Sequence, residues 1–216
     1  MSPHEENLIR DRIAMHGESL YNRGYVPGSS GNISVRLDDG VLVTPTNSCL
    51  GRLDPARISK LDHDGNHLAG DKPSKEAFLH ALVYQQREQD TAVVHLHSTH
   101  SVAVSCMDGL DHDNVLPPIT AYYVMKVGKL RLLPYFRPGA PELARAVAEA
   151  AKHGHAFLLS NHGPVLSAGG LDKAVYAIEE LEETARLSLL LRGSHAVELT
   201  DAQIADVITT FDVDWE

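Results

Sequence analysis

Apolar residues recur along this chain at two different spacings, and each spacing predicts a different kind of element. Near the N-terminus, Ile9 and Ile13 recur at helical spacing, and Ser2 with Glu5 forms the capping-box pattern that begins a helix. The segment 23–27 contains glycine and proline and is expected to end this helix. Further helices are predicted from Ser74 onwards, from Val102 to Cys106, over 141–152, over 171–191 and after Thr200.

Residues 33–37 alternate between apolar and polar side chains, as a strand with one buried face does. A turn at 38–40 returns the chain into 41–44, so these two strands are expected to form a hairpin. Because such a hairpin is antiparallel, we expect a mixed α/β sheet layered with helices, in one domain over residues 1–216. Further strands are predicted over 58–61, 92–97, 121–127, 130–135 and 156–160.

Composition narrows the classes of function. Apolar residues make up 43% of the 216 positions, which is typical of a globular protein, and the net charge of −10 disfavours nucleic acid as a partner. The longest apolar runs are too short to span a bilayer, and the polar N-terminus does not resemble a secretory leader. Cys49 and Cys106 are expected to be free thiols, so we expect a cytoplasmic protein without a membrane partner.

The histidine-containing stretch Ala92–Ser101 is the first candidate for chemistry. If it is a strand, His95 and His97 project from the same face, and two imidazoles so placed can bind one metal ion. Catalytic zinc commonly has three protein ligands, and His162 is the best third because a buried strand delivers it. An isolated HxH pattern is a weak signal on its own. The weaker candidate ligands are His100, His153 and His155.

Glu76 is the candidate acid or base. A glutamate in the first turn of a helix is common, because it interacts favourably with the helix dipole. Near a metal ion, the same carboxylate is able to move a proton at an activated substrate.

Three short segments are candidates for binding an anion. Glycines in the segment 28–32 let the backbone approach a ligand, while its serine and asparagine side chains donate hydrogen bonds. Residues 44–47 and the pair Ser74–Lys75 offer further donors, the pair at a helix N-terminus. Neither a Walker loop nor a GxGxxG dinucleotide loop is present in the sequence.

Taken in this order, the motifs resemble those of the class II aldolase/adducin family. The resemblance rests on Gly28–Ser34, Thr44–Thr46, Ser74–Glu76, His95–His97 and Asn161–Gly163. It implies a three-layer α/β/α fold with a central, mainly antiparallel sheet, and a homotetramer. It also implies one zinc ion per subunit, or another divalent transition metal, held by His95, His97 and His162, with Glu76 as acid/base and additional ligand. The implied phosphate-binding residues are Ser29, Asn32, Thr46 and Ser74, with Gly31 shaping the loop and Tyr122 acting at the subunit boundary.

The resemblance extends to one subgroup. Sugar-phosphate aldolases of the family tend to have two serines before the glutamate, whereas Lys75 occupies the second position here. The set formed by Pro73–Glu76, Leu116–Gly128 and Glu179–Thr184 is most similar to the 3-oxo-tetronate 4-phosphate decarboxylases. This resemblance implies dihydroxyacetone phosphate and CO2 as products, formed through an enediolate at the metal. We expect Lys75 or Lys126 to recognise the additional anionic group of such a sugar-acid substrate. The alternatives are a fuculose-1-phosphate-type aldolase, a pentulose-phosphate 4-epimerase and an adducin-like interaction module.

Overall fold

A sheet of eight strands, counted over the described residues 2–137, 140–213 and 215, is the centre of the computed structural model. The strands are β1 (Asn32–Leu37), β2 (Gly40–Val43), β3 (Ser59–Leu61), β4 (His67–Ala69), β5 (Ala92–His95), β6 (Arg131–Leu133), β7 (Ala156–Leu159) and β8 (Gly163–Ala168). Their order is β4-β3-β2-β1-β5-β8-β7-β6, and only the β6–β7 pair is parallel. The predicted mixed, mainly antiparallel sheet is therefore confirmed.

Helices cover both faces of this sheet. They are α1 (Pro3–Asn22), α2 (Ala77–Gln86), α3 (Thr99–Ser105), α4 (Ala121–Lys126), α5 (Pro141–His153), α6 (Leu171–Leu190) and α7 (Asp201–Phe211). Because side chains alternate along β5, Val94 packs in one core with α1 and α6, whereas Val93 packs in a second core with α2 and α5. This arrangement confirms the three-layer α/β/α prediction. Among the described residues, no helix is both long enough and apolar enough to cross a membrane.

The prediction of a strand over 121–127 was wrong, because these residues form α4. The Thr120 side chain accepts a hydrogen bond from the Tyr123 backbone N–H and so caps the helix. Tyr123 is fully buried, and its aromatic character favoured a strand prediction that tertiary packing overrides. The expected helix start at Ser74 was also early, since Glu76 is the N-cap residue and α2 begins at Ala77.

Two further differences concern the sheet around the histidines. β5 ends at His95, so His97 lies just beyond the strand rather than within it. Gly163 and Pro164 begin β8, although glycine and proline often mark a turn, and the turn itself occupies residues 160–162. The short, exposed strand β4 was not predicted. The predicted domain bounds, Met1 and Glu216, lie outside the described residues.

Gly163 permits a close approach between the β7–β8 hairpin and the chain after β5. The hairpin pairs Leu159 with Gly163, and Asn161 in the loop has a left-handed φ of 56°. A Cβ atom on Gly163 would lie 2.2 Å from the backbone oxygen of Leu96, which is far inside van der Waals contact. A side chain at position 163 would therefore push the loop that contains His162 away from the end of β5.

We expect Gly163→Ala to lower the free energy of unfolding of the metal-free protein by about 2–3 kcal/mol, because the new methyl group overpacks a backbone contact. Urea unfolding measures this change. Gly154→Ala is the matched control: Gly154 has an extended φ of −174°, and its nearest non-neighbouring atom would be 4.0 Å away. Equal stability of the two variants would contradict the argument.

Candidate metal centre and active site

Four side chains from separate segments converge at one end of the central strands. Their ligand atoms all lie within 4.8 Å of one another, and they belong to Glu76, His95, His97 and His162. The His97 Nε2 atom is 3.2 Å from His95 Nε2 and 3.1 Å from His162 Nε2, and the third such distance is 3.3 Å. Within the part of the chain that the structure describes, this is the group of histidine and acidic residues suited to hold one metal ion.

The strand pairing of β5 fixes the first two histidines. His95 is fully buried, and its Nδ1 atom donates to the Pro164 carbonyl oxygen of β8 at 2.8 Å, which leaves Nε2 as the free donor atom for a metal. The Leu96 N–H donates to the same oxygen at 3.2 Å, so the chain stays beside β8 as it approaches His97. His162 closes the group from the loop of the β7–β8 hairpin.

A buried carboxylate holds the segment that follows His97. Glu182 of α6 accepts hydrogen bonds from the backbone N–H groups of His100 and Ser101, each at 2.8 Å, at the N-terminus of α3. Its carboxylate also accepts from the Ser101 hydroxyl, and it lies 2.8 Å from His100 Nδ1. His100 is therefore engaged with Glu182 rather than with the convergent ligand atoms.

The other weak candidates also have different partners. His153 contacts Glu149 on the exposed side of α5 at 3.2 Å. His155 lies between two backbone carbonyl oxygens, those of Val127 and Ser167, each 3.0 Å away. Neither histidine belongs to the convergent group.

The spacing of the three histidine nitrogens fits a single transition-metal ion. Ligand nitrogens at the usual zinc–nitrogen distance in a tetrahedral site are separated by about 3.3 Å, and the observed separations are 3.1–3.3 Å. Imidazole and carboxylate donors suit zinc and also manganese, iron, cobalt or nickel. The donor set fits a divalent transition metal without selecting one.

Two of the histidines, His95 and His97, are predisposed to be neutral, as ligation requires. Burial lowers the pKa of His95, and burial together with the neighbouring His95 and His162 lowers the pKa of His97 to about 4. Burial opposes ionisation of Glu76, but the hydrogen bond from His162 and the proximity of His95 outweigh it and hold the pKa of Glu76 below its ordinary value. At neutral pH, the site therefore presents neutral imidazoles at His95 and His97 and a carboxylate at Glu76.

The two carboxylate oxygens of Glu76 have different environments. Oε1 lies 3.2 Å from His162 Nε2 and faces the convergent nitrogens. Oε2 accepts a hydrogen bond of 2.8 Å from the amide Nδ2 of Asn32 and lies 3.5 Å from His95 Nε2. The Ser74 hydroxyl accepts from the Glu76 backbone N–H at 3.2 Å and so shapes the turn before α2.

Backbone contacts bring three of the four candidate phosphate-binding residues onto neighbouring segments. The Thr46 N–H donates to the carbonyl of Lys72 at 2.9 Å, and the Ser74 N–H donates to the carbonyl of Thr44 at 3.2 Å. Thr44 in turn lies beside Ile33, the residue after Asn32, through hydrogen bonds of 3.0 and 3.1 Å. Asn32, Thr46 and Ser74 therefore lie on neighbouring segments near Glu76.

The remaining loop residues lie at the edge of this region. Ser29 is exposed in a turn that the Ser30 N–H closes by donating to the Pro27 carbonyl at 3.2 Å. Gly31 has a φ of 75°, and a Cβ atom there would lie 3.0 Å from the backbone oxygen of His95. Glycine at position 31 therefore allows the loop to pass close to the end of β5.

Lys75 and Tyr122 are not among the four convergent residues. Lys75 is exposed in the turn before α2. Tyr122 is exposed on α4, and its ring lies 5.2 Å from the Lys126 Nζ atom. α4 packs against α6 and α7, so Tyr122 belongs to a different surface of the same chain.

A cleft of about 600 Å³ opens in front of the histidines and has the size of a small-molecule site. His97 and His162 form one side of it, while Tyr135, Phe136 and Val102 contribute apolar and aromatic surface. Among the described residues, its lining includes no lysine or arginine. A substrate group placed here would therefore meet mostly uncharged side chains besides the metal ligands.

Sequence reasoning missed two residues of this region, His80 and Glu182. His80 is fully buried one helical turn after Glu76, and its Nε2 atom lies 2.5 Å from Asn32 Oδ1. The spacing of four between Glu76 and His80 is a signal that the sequence contained. Glu182 lies within the acidic run of α6, where nothing in the sequence distinguishes it from its neighbours.

Known proteins are similar to this chain over nearly its whole length. A family model described as the class II aldolase and adducin N-terminal domain matches residues 11–189. A 3-oxo-tetronate 4-phosphate decarboxylase of Haemophilus influenzae is 52% identical over 199 residues, which cover 92% of this chain and 95% of that protein. An L-fuculose phosphate aldolase of Escherichia coli K12 is 35% identical over 211 residues, covering 96% and 95%. The crystal structure of YgbL from Escherichia coli has a TM-score of 0.92 at 46% identity, with 94% and 98% of the two chains covered.

We expect His162→Ala to reduce the zinc retained after dialysis from about one ion per chain to well under half, because one of three imidazole donors is lost. Elemental analysis of the dialysed protein measures this. His67→Ala is the control, since His67 is exposed on β4 and its Nε2 atom contacts the Ala69 carbonyl. Full zinc retention by His162→Ala would contradict the assignment of the site.

Proposed function

This chain belongs to the class II aldolase and adducin family and is a lyase, and we propose that it decarboxylates a 3-oxo-tetronate 4-phosphate to dihydroxyacetone phosphate and CO2. The observation that carries the proposal is the 52% identity, over nearly the full length, to a decarboxylase of that name. Similarity to the L-fuculose phosphate aldolase extends equally far along the chain but reaches only 35% identity. The convergent Glu76 and histidines supply the metal-binding and acid/base groups that such a reaction needs.

His95, His97 and His162 are the proposed metal ligands, with Glu76 close enough to be an additional one. Zinc is the proposed ion, one per chain, and the donor set also accepts other divalent transition metals. A bound divalent ion is a Lewis acid that stabilises negative charge developing on the substrate ketone oxygen.

Glu76 is the proposed proton donor to carbon. When the carboxylate of a 3-oxo acid leaves as CO2, the electron pair of the broken bond remains on the adjacent carbon, and a proton must then be added there. Oε2 of Glu76 is occupied by the amide of Asn32, so Oε1, which faces the histidines, is the oxygen that takes up a proton from solvent and passes it to the carbon. The Glu76 side chain is 21% exposed, so solvent can return a proton to it after each transfer.

The phosphate of the substrate is proposed to bind beside Glu76. Asn32, Thr46 and Ser74 lie on neighbouring segments there, and Ser29 and Gly31 form the adjoining loop. Hydroxyl, amide and backbone N–H donors are suited to a phosphate dianion. In this proposal one N–H of the Asn32 amide donates to Glu76, and the other donates to the phosphate.

Assembly and location are further parts of the proposal. We propose a cytoplasmic homotetramer in which residues 1–216 of each chain form one domain. Tyr122 is exposed on α4 and is proposed to act at a neighbouring subunit's site. Lys75, or else Lys126, is proposed to recognise the substrate carboxylate.

The decisive test is to incubate the metal-loaded protein with a 3-oxo-tetronate 4-phosphate and, separately, with L-fuculose 1-phosphate. We expect CO2 and dihydroxyacetone phosphate from the first substrate and no aldehyde from the second.

Chelation should abolish the activity, and Glu76→Gln should lower kcat by about 100-fold or more, because the proton donor is lost. Gln85→Glu is the control, because it exchanges an amide and a carboxylate on α2 outside the four convergent residues. This variant should retain kcat. Release of lactaldehyde without CO2 would instead establish the aldolase.

Lys75→Ala tests the proposed recognition of the substrate carboxylate. We expect roughly a threefold or larger rise in KM for the sugar-acid phosphate, a modest effect because Lys75 is exposed to solvent. Lys72→Ala is the matched control, since Lys72 is another exposed lysine in the same segment. Unchanged kcat and KM in Lys75→Ala would exclude this role for Lys75.

A further inference from the structure

A buried chain of hydrogen bonds runs behind the carboxylate of Glu76, on the side away from the cleft. The amide of Asn32 contacts His80 Nε2 at 2.5 Å, and His80 Nδ1 contacts the Ser34 hydroxyl at 2.7 Å. The Ser34 hydroxyl then contacts the Tyr84 hydroxyl at 2.7 Å. All four side chains are at least nine-tenths buried. A polar group left without a hydrogen-bond partner in this core would cost stability, so each group is expected to be paired.

The carboxylate of Glu76 at one end of these hydrogen bonds determines which group donates in each of them. An ionised Glu76 only accepts, so the Asn32 Nδ2 atom must face it, and the Asn32 Oδ1 atom must face His80. His80 Nε2 then has to carry the imidazole proton, and Nδ1 has to accept from the Ser34 hydroxyl. Ser34 Oγ can in turn accept from the Tyr84 hydroxyl, so Asn32, His80 and Ser34 each both donate and accept.

We propose that His80 is a positioning residue, which fixes the orientation of the Asn32 amide and thereby holds Oε2 of Glu76, leaving Oε1 to deliver the proton. With the other imidazole tautomer, the Asn32 amide would turn over and place its oxygen 2.8 Å from the Glu76 oxygen. Two acceptors at that distance repel each other, and the carboxylate would be displaced. This inference rests on the proposed function, in which Glu76 donates the proton.

A proton relay from His80 to Glu76 is disfavoured by the same contacts. The two residues are joined through a carboxamide, which holds its N–H protons too tightly to pass them on. Burial also lowers the pKa of His80 to about 3, so the ring is neutral under ordinary conditions and has no proton to spare. His80 therefore acts through Asn32 and not on the substrate.

A second cavity makes a substitution at position 80 tolerable. A space of about 280 Å³ lies behind His80, between α2 and the strands β1–β3, and His80, Ser34 and Tyr84 contribute to its lining. A side chain of altered shape at position 80 can expand into this space without displacing the metal ligands. Folded variants are therefore expected, which makes a functional comparison possible.

Glutamine and asparagine at position 80 form a matched pair of variants. A glutamine amide reaches the position of the imidazole Nε2 atom and can donate to Asn32, whereas an asparagine amide reaches only the position of Nδ1. We expect His80→Gln to keep kcat, per bound metal ion, within about threefold of the parent. We expect His80→Asn and His80→Phe to lower it by about tenfold or more, because the buried Asn32 oxygen loses its donor.

A nitrogen-15 NMR measurement on the metal-free parent protein provides a readout that does not need activity. We expect the His80 signals, assigned by their disappearance in His80→Gln, to show a protonated Nε2 and an unprotonated Nδ1. A protonated Nδ1, or equal kcat values for the Gln and Asn variants, would overturn the inference. If the parent protein fails to decarboxylate the sugar-acid phosphate but shows the expected tautomer, the proposed function has failed and the orientation of Asn32 by His80 stands.

Discussion

The pairing of β5 with β1 on one side and β8 on the other is the constraint on which the candidate site depends. Asn32 is directly opposite His95 in the β1–β5 register, and the Pro164 carbonyl of β8 orients the His95 ring. A shift of either register by one residue would turn these groups to the other face of the sheet. Backbone hydrogen bonding in the sheet therefore sets the positions of Asn32 and His95 in the candidate site.

Sequence reasoning selected the four side chains that converge in the structure, although it misassigned some of the elements around them. His95, His97 and Glu76 were found because their chemistry and local spacing are visible in short segments, and His162 was found because a buried apolar run precedes it. The strand expected at Ala121 was a helix, because capping by Thr120 and burial of Tyr123 outweigh the strand preference of aromatic residues. β8 was missed because its first two residues, Gly163 and Pro164, usually mark a turn.

Contacts between distant segments explain what the sequence did not reveal. Glu182 resembles every other acidic residue of α6 until the fold places it at the N-terminus of α3. Asn32 was expected to bind phosphate, and its side chain is also the link between Glu76 and His80. This amide contacts both the proposed proton donor Glu76 and the buried imidazole of His80, and only the three-dimensional structure relates the two.

The proposed metal ligands lie far apart along the chain, and a bound ion would therefore also have a mechanical role. His95 and His162 are 67 positions apart, and an ion shared by them closes that loop as a disulfide bond would. Such a cross-link reduces the conformational entropy of the unfolded chain if the ion stays bound, and it fastens the β7–β8 hairpin to the end of β5 in the folded one. Metal release is then a loosening of the hairpin as well as a loss of chemistry, and protection of its amides from hydrogen exchange should report the occupancy of the site.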